Sequence, residues 1–479
     1  MSEALIVLYG FTLLYLFIFA IGQAHLTWLY RRRRVPLPTP DPPDTWPRVT
    51  VQLPVYNERF VIERLLQAVA ALDYPKGLLE IQVLDDSTDS TTALIEKHLH
   101  ERTCPHPISL LNRTHRTGYK AGALQEGLRT ATGEFIAIFD ADFIPPANFL
   151  TQTIPFFTNP NVGVVQTRWG HANRTYSWLT RVQAFGLDAH FLVEQVGRSY
   201  AQSFINFNGT GGVWRKKCIE DGGGWQADTL TEDLDLSYRA QLRGWKFVYR
   251  ENLVTPGELP VAMSAIKSQQ YRWTKGGAET ARKLLRQVWR TPLPWRQKVH
   301  ASLHLLNATV FVMLLLSAML SVPMLWLKYK QPAWAPWFHA ASFFLLGFLA
   351  ITWFYFTAWQ QQGAPERGRF WLLFPGFLLL SMGLSLHNSR AVLEGLAGKK
   401  TPFVRTPKFE ATQSWKSNQY LTPRINRFSW IEGLLAVYFL GAIVLGIYVR
   451  DVGLLAFHML LALGFGTVFV LSLRHVQRS

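Results

Sequence analysis

Apolar residues along this chain fall into three patterns, and each predicts a different kind of element. The first is the long unbroken run. Ala4–Leu26, Leu303–Leu327, Trp337–Trp359, Trp430–Val449 and Val452–Leu473 are each long enough for the roughly 20 residues that cross a bilayer as a helix. The second pattern is a series of short β-rich runs, Val49–Leu53, Glu80–Leu84, Ile108–Leu111, Glu134–Phe139 and Val162–Gln166, separated by helical stretches such as Arg59–Ala71 and Lys120–Ala131. Strand-helix alternation of this kind predicts a doubly wound α/β domain with a mainly parallel sheet. The third pattern is Arg369–Leu396, apolar for most of its length but polar at the end that carries Arg390 and Glu394.

Charge decides how the apolar runs are threaded. No basic residue precedes the first run and Arg31–Arg34 follow it, the reverse of a signal peptide, so it reads as a retained anchor with a cytosolic C-terminal end. Residues 387–427 carry eight Lys/Arg against two acids and are therefore expected in the cytosol. Counting 370–386 as a crossing would put that loop outside, so 369–396 is expected to lie along the membrane interface. The chain then divides into a transmembrane helix at 1–30, a proline-rich linker at 31–47, a cytosolic α/β domain at 48–285 and an amphipathic connector at 286–302. Two spans follow at 303–359, then the interfacial helix at 369–396, a basic cytosolic loop at 397–427 and a transmembrane hairpin at 430–473. Five crossings place the α/β domain in the cytosol of a multi-pass protein of the cell's inner or plasma membrane.

Composition supports the membrane reading, with 49% hydrophobic residues and 14% aromatics. The net charge of +17 is explained by basic tracts flanking the spans, so nucleic-acid binding is not expected. Cys104 and Cys218 have neither metal-ligand nor disulfide-framework spacing.

The candidate chemistry lies in four tracts. Asp85-Asp86 and Asp140-Ala-Asp142 each follow a predicted strand, at the edge where ligands bind in such sheets. An Asp-x-Asp there can hold Mg²⁺ or Mn²⁺ against a diphosphate, because these hard cations take oxygen ligands and share them with substrate phosphates. The competing reading is that these aspartates cap the helices that follow. Glu232, Asp233 and Asp235 could supply a general base. Gln269, Arg272 and Trp273 lie at i, i+3 and i+4 and share one helix face, where Arg can pair with a diphosphate and Trp can present a flat platform to a sugar. His171, His190 and His300 read as solvated or core histidines. Gly222–Gly224 reads as a flexible loop near the carboxylates.

Taken together, Pro54-Val-Tyr-Asn-Glu58, Val83–Asp89, Tyr119-Lys-Ala-Gly122, Asp140-Ala-Asp142, Thr231-Glu-Asp233 and Gln269-Gln-Tyr-Arg-Trp273 resemble the D, DxD, TED, QxxRW signature of processive family-2 glycosyltransferases. That group includes the cellulose, mannan and hyaluronan synthases. Val165–Trp169, Val193–Gln195 and Phe207–Trp214 resemble the cellulose-synthase-like branch that makes mannan and glucan backbones, and the likeness spans about residues 48–410. The resemblance implies a GT-A-type doubly wound domain inserted between transmembrane α-helices. It also implies inverting transfer from a nucleotide sugar of the UDP-glucose or GDP-mannose type to a growing β-linked polysaccharide, which the protein moves through its own helices. The alternative is a lipid glycosyltransferase resembling ceramide glucosyltransferases, so the acceptor is a polysaccharide or a lipid, with membrane lipid a further partner.

Under that likeness Glu58, Asp85, Asp86, Lys120, Asp140, Gln269 and Arg272 bind the donor. Asp140 and Asp142 hold the metal, Asp233 is the base with Glu232 beside it, and Trp273 meets the acceptor. Thr401–Lys408 is similar to the family's gating loop at Phe403, Thr406 and Lys408, but Arg405 departs from its pattern.

Overall fold

A computed structural model describes residues 2–33, 38–101, 104–362, 368–403 and 427–474. Seven strands, β1 (Val49–Val55), β2 (Leu79–Asp85), β3 (Ile108–Asn112), β4 (Phe135–Ile138), β5 (Val162–His171), β6 (Gly212–Arg215) and β7 (Lys246–Gly257), form one sheet in the order β3-β2-β1-β4-β6-β5-β7. All neighbours pair in parallel except β6, which runs antiparallel to both β4 and β5. Alternate residues of the central strands enter two cores. Val49, Val51, Leu53 and Val55 pack on helix Ile62–Ala70, while Ile136 and Ile138 pack with Leu124 and Trp214 on the other face. A sheet covered on both faces explains why its strands read as near-continuous apolar runs.

The five expected strands are present, and β6 and β7 are additional. β6 is only four residues long. In β7 the alternation is broken by Arg250, Glu251 and Asn252, where a register shift against β5 between Thr167 and Arg168 interrupts the ladder.

Five described helices are long and apolar enough to cross a membrane: Ser2–Arg32, Asn307–Lys330, Pro332–Gln360, Arg427–Tyr448 and Leu455–Arg474. Each matches one of the apolar runs. Three details differ from expectation. The long helix Met263–Arg290 runs through the start of the expected connector and stops where Pro292 and Pro294 remove backbone donors. The run from Leu303 is broken, because helix Trp295–Leu305 ends before a 3₁₀ turn at Asn307–Thr309. Residues 369–396 do not form one straight helix. They are two helices, Phe370–Gly383 and Ser385–Leu396, bent by 51°. At the bend, Gly383 lies against the backbone of Gly464 in the last span, where a Cβ would come within 2.2 Å of a carbonyl oxygen. Phe370 and Phe374 of the first half pack on Phe185 of helix Trp178–Ala189, which joins the apolar helices to the α/β domain.

Candidate active site

The ends of β1, β2, β4, β5 and β7 and the approach to β6 surround one cavity, which is closed on its far side by helix Glu232–Leu242 and the long helix. Glu58, Asp86, Lys120, Asp140, Asp142, Glu232, Asp233, Gln269, Arg272 and Trp273 all line it. Asp85 and Asp235 do not.

Asp85 and Asp86 separate because consecutive residues of an extended chain point opposite ways. The fully buried Asp85 carboxylate accepts from Ser87 N at 3.0 Å, closing a tight turn after β2, and from Thr92 Oγ1 at 2.6 Å, while the first N–H of helix Thr91–Glu101 donates to Asp89 instead. Asp86 faces the cavity and takes a bidentate pair from Arg113, at 2.7 and 2.5 Å. Arg116 stands 3.8 Å from Asp86 and lies over the Tyr56 ring at 3.4 Å. Neither Arg113 nor Arg116 was singled out by the sequence patterns; a basic loop between β3 and the helix Tyr119–Thr130 was their only signal.

Asp140 and Asp142 follow β4 directly. Asp140 Oδ1 accepts from Lys120 Nζ at 2.5 Å, and the same ammonium donates to the Gly209 carbonyl at 2.8 Å. Burial opposes the Lys120 charge, but Asp140, Glu232 and Asp233 outweigh it and hold its pKa above the usual lysine value. Lys120 is thus bound to the Asp-x-Asp motif itself. Asp142 is nearly buried, and its Oδ2 accepts from Glu258 N at 3.1 Å. Among the described residues no three His, Cys, Asp or Glu side chains converge as a metal cage. Two carboxylates facing a cavity instead suit a hard divalent cation that takes its remaining oxygens from a diphosphate and water.

Asp233 Oδ1 accepts from Leu234 N at 2.8 Å. Gly209, at φ +81°, passes so close that a Cβ there would lie 2.9 Å from Asp233 Oδ2. Burial, and then the neighbouring Glu232 charge, push Asp233 up to about 7, and burial raises Glu232 as well. A base with that pKa is deprotonated only at and above neutrality. The acid limb of kcat/KM is therefore expected to fall about tenfold per pH unit below about 7. A flat profile from about pH 5 to 8 would exclude Asp233 as the ionising base. Asp235, the third acid of this tract, is consumed by Arg239 at 2.8 Å and Lys283 at 2.9 Å. Arg239 also donates to the carbonyls of Gly222 and Gly224, so the glycine loop is pinned rather than free.

The long helix fixes the acidic tract in place. Leu230 N donates to Glu279 Oε2 at 2.8 Å, and Gly276 lets Thr231 approach until a Cβ would meet its Cγ2 at 2.5 Å and its N at 2.8 Å. Gly276→Ala is expected to destabilise the chain by about 1–3 kcal/mol. It also displaces Asp233, so turnover per folded molecule is expected to fall about 10²-fold for a shift near 1 Å. Thermal denaturation and steady-state kinetics on the same preparation check both.

Phe403 completes the cavity wall, with Tyr119 at 5.6 Å and the Arg272 guanidinium over its ring at 4.7 Å. Thr406 and Lys408 of the expected gating loop lie outside the described residues. His171 reaches the cavity wall beside Asp188 at 3.3 Å, His190 pairs with Glu194 at 3.1 Å, and His300 stacks on His25.

Residues 47–276 match the family model described as "Glycosyltransferase like family 2". The chain is similar to glucomannan 4-beta-mannosyltransferase 2 of Arabidopsis thaliana, 36% identical over 403 residues that make up 80% of this chain and 71% of the relative. It is 35% identical over 413 residues to glucomannan 4-beta-mannosyltransferase 1 of Oryza sativa subsp. japonica, covering 81% and 75%. Among solved structures, the mannosyltransferase PcManGT from Pyrobaculum calidifontis, in complex with GDP-Man and Mn²⁺, shares the fold, with a TM-score of 0.54 at 21% identity over 82% of this chain and 100% of that one.

Proposed function

Because the chain belongs to the family-2 glycosyltransferases and is a hexosyltransferase of the cellulose-synthase-like type, we propose that it transfers mannose from GDP-mannose to the end of a growing β-1,4-linked mannan or glucomannan. The observation that carries this reading is the meeting of Asp140, Asp142, Asp233, Arg272 and Trp273 on one cavity, in a chain that resembles 4-β-mannosyltransferases over four-fifths of its length.

In this reading Asp233 takes the proton from the acceptor hydroxyl as that oxygen attacks the anomeric carbon from the face opposite the diphosphate. The sugar–diphosphate bond breaks and the configuration inverts. A positioned carboxylate base contributes about 10²–10⁴-fold. Arg272 pairs with the diphosphate, Trp273 supports the acceptor ring, and Glu58, Lys120, Gln269 and the Asp86–Arg113–Arg116 group hold the rest of the donor. Asp140 and Asp142 would hold Mg²⁺ or Mn²⁺, which offsets negative charge on the departing diphosphate. Asp85 supports this wall from behind by holding Ser87 N and the Thr92 hydroxyl.

The five apolar helices support a multi-pass protein whose α/β domain faces the cytosol, where sugar nucleotides are found, with the product moved between its helices. A cysteine at Val452, in a background without Cys104 and Cys218, tests the orientation. Val452 is preferable to Asp451, which pairs with Lys328 at 2.6 Å. Labelling from the outer side only is expected, and labelling from the cytosol would reverse the topology. Donor choice is tested by incubating membranes with labelled GDP-mannose, GDP-glucose and UDP-glucose in parallel. Incorporation chiefly from GDP-mannose is expected, and incorporation from UDP-glucose alone would overturn the mannosyl assignment.

A further inference from the structure

The long helix Met263–Arg290 presents two unlike faces. Gln269, Arg272, Trp273 and Gly276 look toward the cavity and the acidic tract. Lys267, Tyr271 and Lys275 recur every four residues and form a separate ridge. That ridge is bound along its length by the C-terminal part of the chain. Lys267 Nζ lies 2.6 Å from Glu432 Oε2 and 3.2 Å from Ser429 Oγ, and His387 Nε2 donates to the Lys267 carbonyl at 2.9 Å. One turn on, the Tyr271 hydroxyl donates to Glu394, which Arg390 and Lys399 also hold. After a further turn, Lys275 Nζ donates to the Lys399 carbonyl and to Thr401 Oγ1, both at 2.6 Å. Gly395 allows this close approach, since a Cβ there would lie 2.7 Å from the Lys275 carbonyl oxygen.

Within this interface Glu432 is the costly residue. It is fully buried in the apolar helix Arg427–Tyr448, and its partner belongs to a different part of the fold. Ionisable groups in such helices are expensive and are kept where they serve function. A buried ion pair adds little net stability, because an apolar pair of similar volume would join the two helices as well. What the charged pair adds is direction. It fixes the rotation and axial register of the long helix, two residues before Gln269 and five before Arg272.

We propose that Lys267 and Glu432 are positioning residues for transfer, the contact through which helix Arg427–Tyr448 sets where Arg272 and Trp273 stand in the cavity. The proposal rests on the reading of Arg272 and Trp273 as donor and acceptor contacts. An error of about 1 Å in such placement is enough to cost transfer steeply.

The test uses the full chain in lipid, with three readouts on each preparation: thermal midpoint, equilibrium donor binding, and the ratio of sugar transferred to polymer against sugar lost to hydrolysis. The paired variant Lys267→Met/Glu432→Met removes both charges without stranding either. It is expected to keep the wild-type midpoint, while donor binding weakens through the displaced Arg272, transfer per folded molecule falls about tenfold and the ratio moves toward hydrolysis. The reversed pair Lys267→Glu/Glu432→Lys is expected to recover most of the loss. Lys267→Gln/Glu432→Gln, which keeps size and a hydrogen bond without a stranded charge, provides the same readouts if the apolar pair folds poorly, with a smaller shift in the same direction. Wild-type transfer and ratio in the apolar pair, or no recovery in the reversed pair, would overturn the proposal. Trp273→Ala separates the two levels: if it leaves the ratio unchanged, the reading of the site itself fails, whatever the Lys267 variants do.

Discussion

Asp233→Asn is expected to lower transfer by about 10²–10⁴-fold while donor binding changes little. Asparagine has the size of aspartate, and its carbonyl oxygen can still accept from Leu234 N, so the local turn survives. What disappears is the group that takes the acceptor proton. Glu232 lines the same cavity, but it stands one residue away on the helix and does not occupy the place beside Gly209 that Asp233 Oδ2 fills. Whatever turnover remains should also lose its acid limb near pH 7, because the ionisation behind that limb is gone. Turnover above about a tenth of wild type would contradict the assignment of the base.

Asp142→Ala should instead act on the donor. It removes one of two carboxylates able to face a divalent cation and frees Glu258 N. A loss on the order of 10²–10³ in kcat/KM is expected, with a higher requirement for Mn²⁺ or Mg²⁺. Identical metal titrations for variant and wild type would contradict the role. Asp85→Asn is the informative contrast. That carboxylate holds Ser87 N and the Thr92 hydroxyl behind the cavity and does not reach it, so weakening those hydrogen bonds should cost about 1 kcal/mol of stability and leave the metal titration unchanged.

The two aspartates show how far the sequence could be read. That an Asp-Asp pair ends a strand was visible in Val83–Asp86, but which carboxylate meets the ligand depends on the orientation of β2 in the sheet. Asp140 and Asp142 were legible because β4 is a short, wholly apolar strand with an abrupt end. β6 and β7 were not, since one is four residues long and the other carries charged residues at its irregular pairing with β5. Arg113 and Arg116 join the site from a loop whose approach no local pattern encodes, whereas Phe403 is anticipated through the likeness to the gating loop. The bend between Gly383 and Ser385 likewise lies at a close contact with Gly464, 81 residues further along the chain.

The central claim is that the cavity builds a β-linked polymer from a sugar nucleotide. It is tested most directly by supplying the purified full chain in lipid with labelled GDP-mannose and a divalent cation, then dividing the product between an organic lipid extract and an insoluble residue. The account predicts label in the residue, released as short oligomers by an endo-β-1,4-mannanase and absent with Asp233→Asn. Label confined to the lipid extract as a single glycolipid would contradict it.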